Sequence, residues 1–256
     1  MNQRNMEIKK YSIESIEIAK PEVHNELIKN ADIIGFGYPI YGSDIPKNFM
    51  DFIDNLQQVD KKQAFVFTTM LIFSGDGAVV AKRRLRKRGF KVKQAINIRM
   101  PNNIKLPYPI FRSLAIRNAE ENDKVKRKAF AKLSKLADCI VSGKNWIQGW
   151  GPLNIAGGLM QRVEMRFFDL SIYARNYFVD DETCNQCMQC VDYCPSNNIV
   201  FENQQFKWAD KCILCLRCYN LCPEDAVQYK KATLNRDKYN RYKGPTDGFT
   251  LNKLRE

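Results

Sequence analysis

The sequence predicts an α/β protein in two parts: a parallel sheet covered by helices, followed by a small cysteine-rich α+β domain. Over the first 142 residues, short apolar segments alternate with amphipathic ones, which is typical of strands joined by crossover helices. After residue 180, eight of the nine cysteines fall into two copies of one spacing. We therefore expect a sheet domain at 1–142, a helical connector at 143–179, a cysteine-rich domain at 180–231 and a polar, loosely packed C-terminal tail at 232–256.

Each element of the sheet domain has a local signal. Runs such as IIGFGY and QAFVFT are apolar enough for buried parallel strands, and strands are predicted at residues 6–13, 33–38, 63–68 and 90–98. Pro46 suits the start of a helix, and Gly89 suits the end of one. Helices are accordingly predicted at residues 21–30, 47–56, 78–89, 113–142 and 159–177. The polar loops PIYGSDIP and SGDG follow the second and third of the predicted strands.

The two cysteine runs are Cys184-x2-Cys187-x2-Cys190-x3-Cys194-Pro195 and Cys212-x2-Cys215-x2-Cys218-x3-Cys222-Pro223. They resemble the ligand runs of bacterial two-cluster ferredoxins, which bind two 4Fe–4S clusters through cysteine thiolates. In that family the last cysteine of each run binds the other cluster. The resemblance therefore assigns Cys184, Cys187, Cys190 and Cys222 to a first cluster, and Cys212, Cys215, Cys218 and Cys194 to a second.

Two other uses of cysteine fit the sequence less well. Structural zinc sites use one or two C-x2-C pairs separated by a longer gap, rather than three cysteines in a row at two-residue gaps. Disulfide frameworks belong to secreted chains, and residues 1–30 lack the apolar run of a signal peptide. No apolar run approaches the length of about 18 residues that indicates a membrane helix. We therefore expect a cytoplasmic protein without a membrane partner, in a reducing cell and from an anaerobe.

The sheet domain resembles flavodoxin, through DIIGFGYPIYGSDIPKNFMDFI and through AFVFTT followed by FSGDGA. With the paired cysteine runs, nearly the whole chain resembles the flavodoxin–ferredoxin fusion electron carriers. The resemblance implies that loops 39–44 and 68–76, at the carboxyl ends of parallel strands, hold FMN. The candidate FMN-binding residues are Pro39, Tyr41, Gly42, Ser43, Thr68, Thr69, Ser74, Gly75 and Asp76.

The chain departs from flavodoxin at its amino terminus. Residues 6–13 match the family's second strand, so the first strand and the phosphate-binding loop that follows it have no counterpart. That first strand is central in the family's order 2-1-3-4-5. Two explanations stay open: an N-terminally incomplete sequence, or a degenerate domain in which the second strand pairs with the third. Either way, the missing phosphate loop argues against tight FMN binding.

The charge of the chain is strongly uneven. The formal net charge is +13, yet residues 181–256 hold 11 Lys and Arg against 10 Asp and Glu, so nearly all of it precedes residue 181. Two clusters of about −2 each would make the cysteine-rich part acidic. The segment Lys82–Lys93 holds eight basic residues. It is interpreted either as a solvated helix face or as a docking site for an acidic redox partner.

The leading functional hypothesis is an iron–sulfur electron carrier that passes single electrons between proteins. It needs no catalytic residue, and no Ser–His–acid or paired-carboxylate pattern is evident. The alternative is an FMN- and iron–sulfur-dependent oxidoreductase, or a subunit of one. A nucleic-acid-binding iron–sulfur protein is a third hypothesis, disfavoured because the basic segments lack interleaved aromatic residues.

Overall fold

The computed structural model describes residues 24–108, 114–167, 173–245 and 248–251. They form two compact units: unit 1 draws on residues 24–100 and 123–167, and unit 2 on residues 101–122 and 173–251. The strand predicted at residues 6–13 lies outside the described residues. Within the described ranges, no helix is both long enough and apolar enough to cross a membrane.

Unit 1 is built on a four-stranded sheet in which all neighbouring strands are parallel and the order is β1-β2-β3-β4. The strands are β1 (Ile33–Pro39), β2 (Lys62–Met70), β3 (Phe90–Arg99) and β4 (Trp146–Ile147). The helices are α1 (His24–Asn30), α2 (Lys47–Asn55), α3 (Gly77–Lys87), α4 (Ala119–Val141), which begins in unit 2, and α5 (Pro152–Arg166). The predicted parallel α/β sheet is thus confirmed.

Helices cover both faces of this sheet because β2 and β3 are apolar on both sides. On one face, Val66 packs in a buried cluster with Ile53 of α2 and Leu85 of α3. On the other, Ile96 and Ile98 of β3 pack with residues of α4. Such two-sided cover is what near-continuous apolar strands require.

Two predicted helices have the wrong bounds. The helix predicted from residue 113 begins at Ala119, because the side-chain oxygen of Asn118 accepts the Glu121 N–H (2.9 Å) and caps the first turn. The helix predicted at residues 159–177 begins at Pro152, where a proline suits the first helical position, and ends at Arg166.

Unit 2 is a small α+β arrangement of short elements. They are β5 (Tyr177–Val179), α6 (Gln189–Asp192), β6 (Ile199–Glu202), β7 (Gln205–Trp208), α7 (Arg217–Asn220), β8 (Val227–Tyr229) and a 3-10 helix (Lys231–Leu234). β5 pairs with β8 and β6 with β7, both antiparallel. The β6–β7 turn consists of Asn203 and Gln204, both with positive φ (51° and 59°), as in the tight turns that match strand twist.

Among the described residues after β8, several side chains are buried in unit 2, whereas the sequence predicts a loosely packed tail. Tyr239 and Leu251 are buried, and so is Arg241. The Arg241 guanidinium lies 4.0 Å from the Tyr219 ring centroid and donates to the carbonyl oxygen of Asp225 (2.9 Å). The polar composition of this segment wrongly suggests loose packing, because the charge of Arg241 is buried among hydrogen-bond acceptors.

Candidate iron–sulfur centres

The two cysteine runs fold alike. In each, a loop carries the first two cysteines and a one-turn helix, α6 or α7, carries the third. Backbone φ is positive at matching positions: 53° at Gln186 and 52° at Leu214, 59° at Met188 and 60° at Leu216. These left-handed residues wind the chain tightly, so that cysteines with two residues between them turn toward a common side. The repeated spacing is therefore a repeated loop structure.

The cysteines line two cavities in unit 2. The first cavity is lined by Cys184, Cys187, Cys190 and Cys222, and also by Cys218. The second cavity is lined by Cys194, Cys212, Cys215 and Cys218. Each cavity thus brings together three cysteines of one run and the last cysteine of the other. The assignment of these cysteines to particular clusters stays a prediction. The grouping of the cysteines in the two cavities is the grouping that this assignment requires.

Backbone N–H groups point at four of the sulfur atoms, again in matching pairs. Cys184 Sγ accepts from the Gln186 amide (3.4 Å), and Cys212 Sγ from the Leu214 amide (3.3 Å). The last cysteine of each run accepts from the residue four positions on, at 3.3 Å for Cys194 and 3.2 Å for Cys222. Hydrogen bonds to sulfur stabilise the negative charge of a thiolate. The loops therefore favour the thiolate form in which cysteine binds a metal.

Burial raises the pKa of several of these thiols. The pKa of Cys190 rises to about 12, chiefly through burial and also because the thiol of Cys222 lies close. The pKa of Cys212 rises to about 11 through burial, against the opposing effect of the Leu214 N–H. Such thiols stay protonated at neutral pH, so a metal must displace protons to gain thiolate ligands.

The donor set suits a 4Fe–4S cluster. Five cysteine thiols line the first cavity and four line the second, and a cubane takes one thiolate at each of its four irons. Across the described residues, no three His, Cys, Asp or Glu side chains converge as ligands of a single metal ion. The second cavity also holds two buried donors without a partner among the described residues, Asn198 Nδ2 and Trp208 Nε1. Sequence spacing could not reveal these donors.

The paired cysteine-lined cavities of unit 2 are those of an iron–sulfur domain. Residues 176–223, which contain all eight run cysteines, match the family model described as a 4Fe-4S dicluster domain. The predicted iron–sulfur domain is thereby confirmed. No match to the chain was found among curated proteins or among solved structures.

The loops predicted to hold FMN follow β1 and β2, and α5 covers them. Arg162 of α5 pairs with the buried Asp76 carboxylate (Nη1–Oδ1, 2.5 Å) and donates to the Ser43 carbonyl oxygen (3.0 Å). The Ser43 hydroxyl donates to the side-chain oxygen of Gln161. A Cβ on Gly75 would lie 2.8 Å from the Gly158 Cα, so this loop approaches the helix backbone closely. The space assigned to a flavin is therefore filled by the chain itself.

The other predicted FMN residues are also engaged within unit 1. The Thr68 hydroxyl donates to Asn97 Oδ1 (2.8 Å), and the Thr69 carbonyl oxygen accepts the Ile40 N–H (2.9 Å). Pro39 ends β1, Tyr41 pairs with Asp44 through backbone hydrogen bonds, Gly42 faces the Met165 side chain, and Ser74 is buried. FMN does not fit these residues as they are arranged. No prediction from the sequence rests on the glycine pair Gly157–Gly158 within α5, which is the one local signal that could have indicated such a close approach.

The basic segment Lys82–Lys93 covers the C-terminal half of α3 and the first residues of β3. Arg83, Arg86 and Lys87 are exposed, whereas Arg84 forms an ion pair with Asp54. The Arg83 guanidinium lies 5.1 Å from the centroid of the Trp150 ring. Part of the predicted basic surface is thus available to a partner, and part is used within unit 1.

Proposed function

We propose that this protein is a one-electron carrier with two 4Fe–4S clusters, one in each cavity. The observation that carries the proposal is the composition of the cavities: each is lined by three cysteines of one run and the last of the other. Bound clusters would supply reversible one-electron chemistry without a change in protonation or covalent bonding. The protein would hold the clusters, exclude part of the solvent and present them to partners.

Cys218 supports exchange of electrons between the two sites. It is the third cysteine of the second run, yet it lines both cavities. Two clusters flanking one side chain would lie close enough for rapid electron transfer within unit 2. The chain would then accept up to two electrons, one at a time.

Two finer features of the sequence interpretation belong to this proposal. The order β1-β2-β3 is the one that the last three strands of a flavodoxin-like 2-1-3-4-5 sheet would have, which supports a flavodoxin-like origin for unit 1. The exposed basic residues of α3 would attract an acidic redox partner and speed its encounter. The flavoenzyme alternative has no support from unit 1, because α5 packs against the loops after β1 and β2, where the flavin would bind.

The proposal is tested by electron transfer from the whole chain. After anaerobic reconstitution with iron and sulfide, reduction by dithionite and removal of excess reductant, we expect the protein to reduce about two equivalents of cytochrome c. The same chain stripped of iron by a chelator is the control and should reduce none. Clusters that form but cannot be reduced, or that reduce no acceptor, would refute a carrier function.

A further inference from the structure

The two cavities can be compared position by position because the runs are a repeat. Each residue of the second run lies 28 positions after its counterpart in the first, as Cys212 does after Cys184. The fold keeps this correspondence, with α6 matching α7 and the sulfur-directed N–H of Asn198 matching that of Ala226. Differences between paired positions therefore report how the two sites differ electrostatically.

Several of the paired positions that line both cavities differ. Asn185 at the first cavity stands where the second has Ile213, but the Asn185 side-chain amide donates to Glu224 (3.1 Å). Three other positions differ in the opposite sense, toward positive charge or an added donor at the second cavity, or toward a carboxylate at the first. Arg217 at the second cavity stands where the first has Gln189, and Asn198 stands where the first has Ala226. Ser196 stands at the second cavity where Glu224 stands at the first. The second cavity therefore gains a cation and an amide donor, whereas the first gains a carboxylate.

Asn198 is the best-defined of these groups. It is only 1% exposed, and its side-chain oxygen accepts the Lys211 backbone N–H at 2.6 Å. Because a backbone amide can only donate, this bond fixes which end of the side chain carries the NH2 group. That NH2 group is buried and has no hydrogen-bond partner among the described residues. A buried donor is costly to leave unpaired, so its position at the second cavity points to an acceptor there, which cluster sulfur supplies.

Trp208 and Arg217 add to this donor character. The indole N–H of Trp208 is buried, and within the described ranges it too has no partner. Its ring is stacked on Tyr177, with 5.7 Å between the ring centroids, which holds it beside the second cavity. Arg217 donates to the Tyr193 carbonyl oxygen (3.1 Å), next to the ligand Cys194, and so its charge is fixed at the rim of this cavity.

We propose that Asn198, Trp208 and Arg217 make the second cluster the higher-potential one, so that an electron entering the first cluster comes to rest at the second. This inference rests on the proposed function, since it requires both clusters. Reduction adds one negative charge, which donors and a cation stabilise and a carboxylate such as Glu224 opposes. In the transfer, the first cluster is oxidised by one electron and the second is reduced by one. The electron comes from a one-electron donor protein, and no proton moves.

Burial acts in the opposite direction. Cys187 at the first cavity is exposed, whereas the cysteines of the second cavity are half-buried, and withdrawal from water disfavours the more highly charged reduced state. The same low dielectric strengthens the interaction of the reduced cluster with Arg217 and with the two N–H groups. We expect these direct contacts to outweigh a difference in exposure that involves mainly one ligand.

The test is a potentiometric titration of the reconstituted whole chain, followed by EPR. The wild-type protein should show two one-electron steps. Asn198→Ala, Arg217→Gln and Trp208→Phe should each lower the upper step and leave the lower one in place. An approximately tenfold change in the ratio of oxidised to reduced cluster, or about 59 mV, is expected for Arg217→Gln. Gln189→Ala, at the paired position of the first cavity, is the matched control and should not move the upper step.

Intact clusters with a single unresolved step in the wild type would overturn the inference. So would an upper step unmoved in all three variants, or a shift confined to the lower step. Trp208→Phe keeps an aromatic ring at this position while it removes the indole N–H, so it decides the question if the other variants lose a cluster. A wild-type chain that takes up no iron and sulfide would instead refute the proposed function itself, and the two failures are thereby distinguished.

Discussion

Replacing Cys184 and Cys222 together with alanine should leave one intact 4Fe–4S cluster, whereas replacing Cys184 and Cys194 should leave none. In the proposed arrangement the first pair binds one cluster, so the four ligands of the other cluster remain. The second pair binds different clusters, so each cluster loses a ligand. A cubane with three thiolates is labile or loses an iron, and its reduced 4Fe–4S signal disappears.

The measurement is the number of reduced 4Fe–4S clusters per chain, obtained from EPR spin counts and iron content. The two double variants are matched controls for each other, because each removes two cysteines and both include Cys184. If each run bound its own cluster, the outcomes would be reversed: Cys184→Ala with Cys194→Ala would keep one cluster, and Cys184→Ala with Cys222→Ala would keep none. That reversal would refute the shared ligation.

Replacing Arg241 with alanine should destabilise unit 2 by about 3–5 kcal/mol, the usual cost of breaking a buried charged pair. The guanidinium bonds the carbonyl oxygens of Tyr219 and Asp225 and the side-chain oxygen of Gln228 (3.1 Å), and pairs with the Asp225 carboxylate (3.5 Å). Tyr219 follows Cys218, a predicted cluster ligand, and the Asp225 N–H donates to the Cys222 carbonyl oxygen (3.2 Å). Arg241 thus braces the chain beside the last two cysteines of the second run.

The measurement is the temperature at which the visible absorbance of the bound clusters is lost. We expect a fall of more than about 10 °C for Arg241→Ala. Lys243→Ala is the control because Lys243 pairs with the same carboxylate (2.5 Å) from a largely exposed position. Exposed pairs contribute less than about 1 kcal/mol, so its shift should be within a few degrees. Equal shifts in the two variants would show that burial of Arg241 does not matter.

The sequence predicts the parts of this protein that depend on local pattern. Ligand spacing in the cysteine runs is local, because a loop with two-residue gaps brings three thiols together without help from distant residues. The strands at residues 33–38, 63–68 and 90–98 are likewise apolar runs long enough to be recognised directly, and each is a strand in unit 1. Cores of this type follow from composition and period.

Features set by tertiary contacts could not be predicted in the same way. The placement of α5 over the loops after β1 and β2 depends on the Asp76–Arg162 pair, whose members lie 86 residues apart in the chain. The donors Asn198, which precedes β6, and Trp208, which ends β7, lie between the runs and are not part of the cysteine spacing, so only the fold brings them to the second cavity. Arg241 looked like part of a solvated tail because nothing local shows its acceptors.

The most direct test of the central claim is the iron, sulfide and flavin content of the whole chain after anaerobic purification. Two complete 4Fe–4S clusters predict about eight iron and eight sulfide per chain, with two spins on full reduction. The closed loops of unit 1 predict no stoichiometric flavin. A content of four iron or fewer in protein that retains all eight run cysteines would contradict the two-cluster account, and one FMN per chain would contradict the closure of its loops by α5.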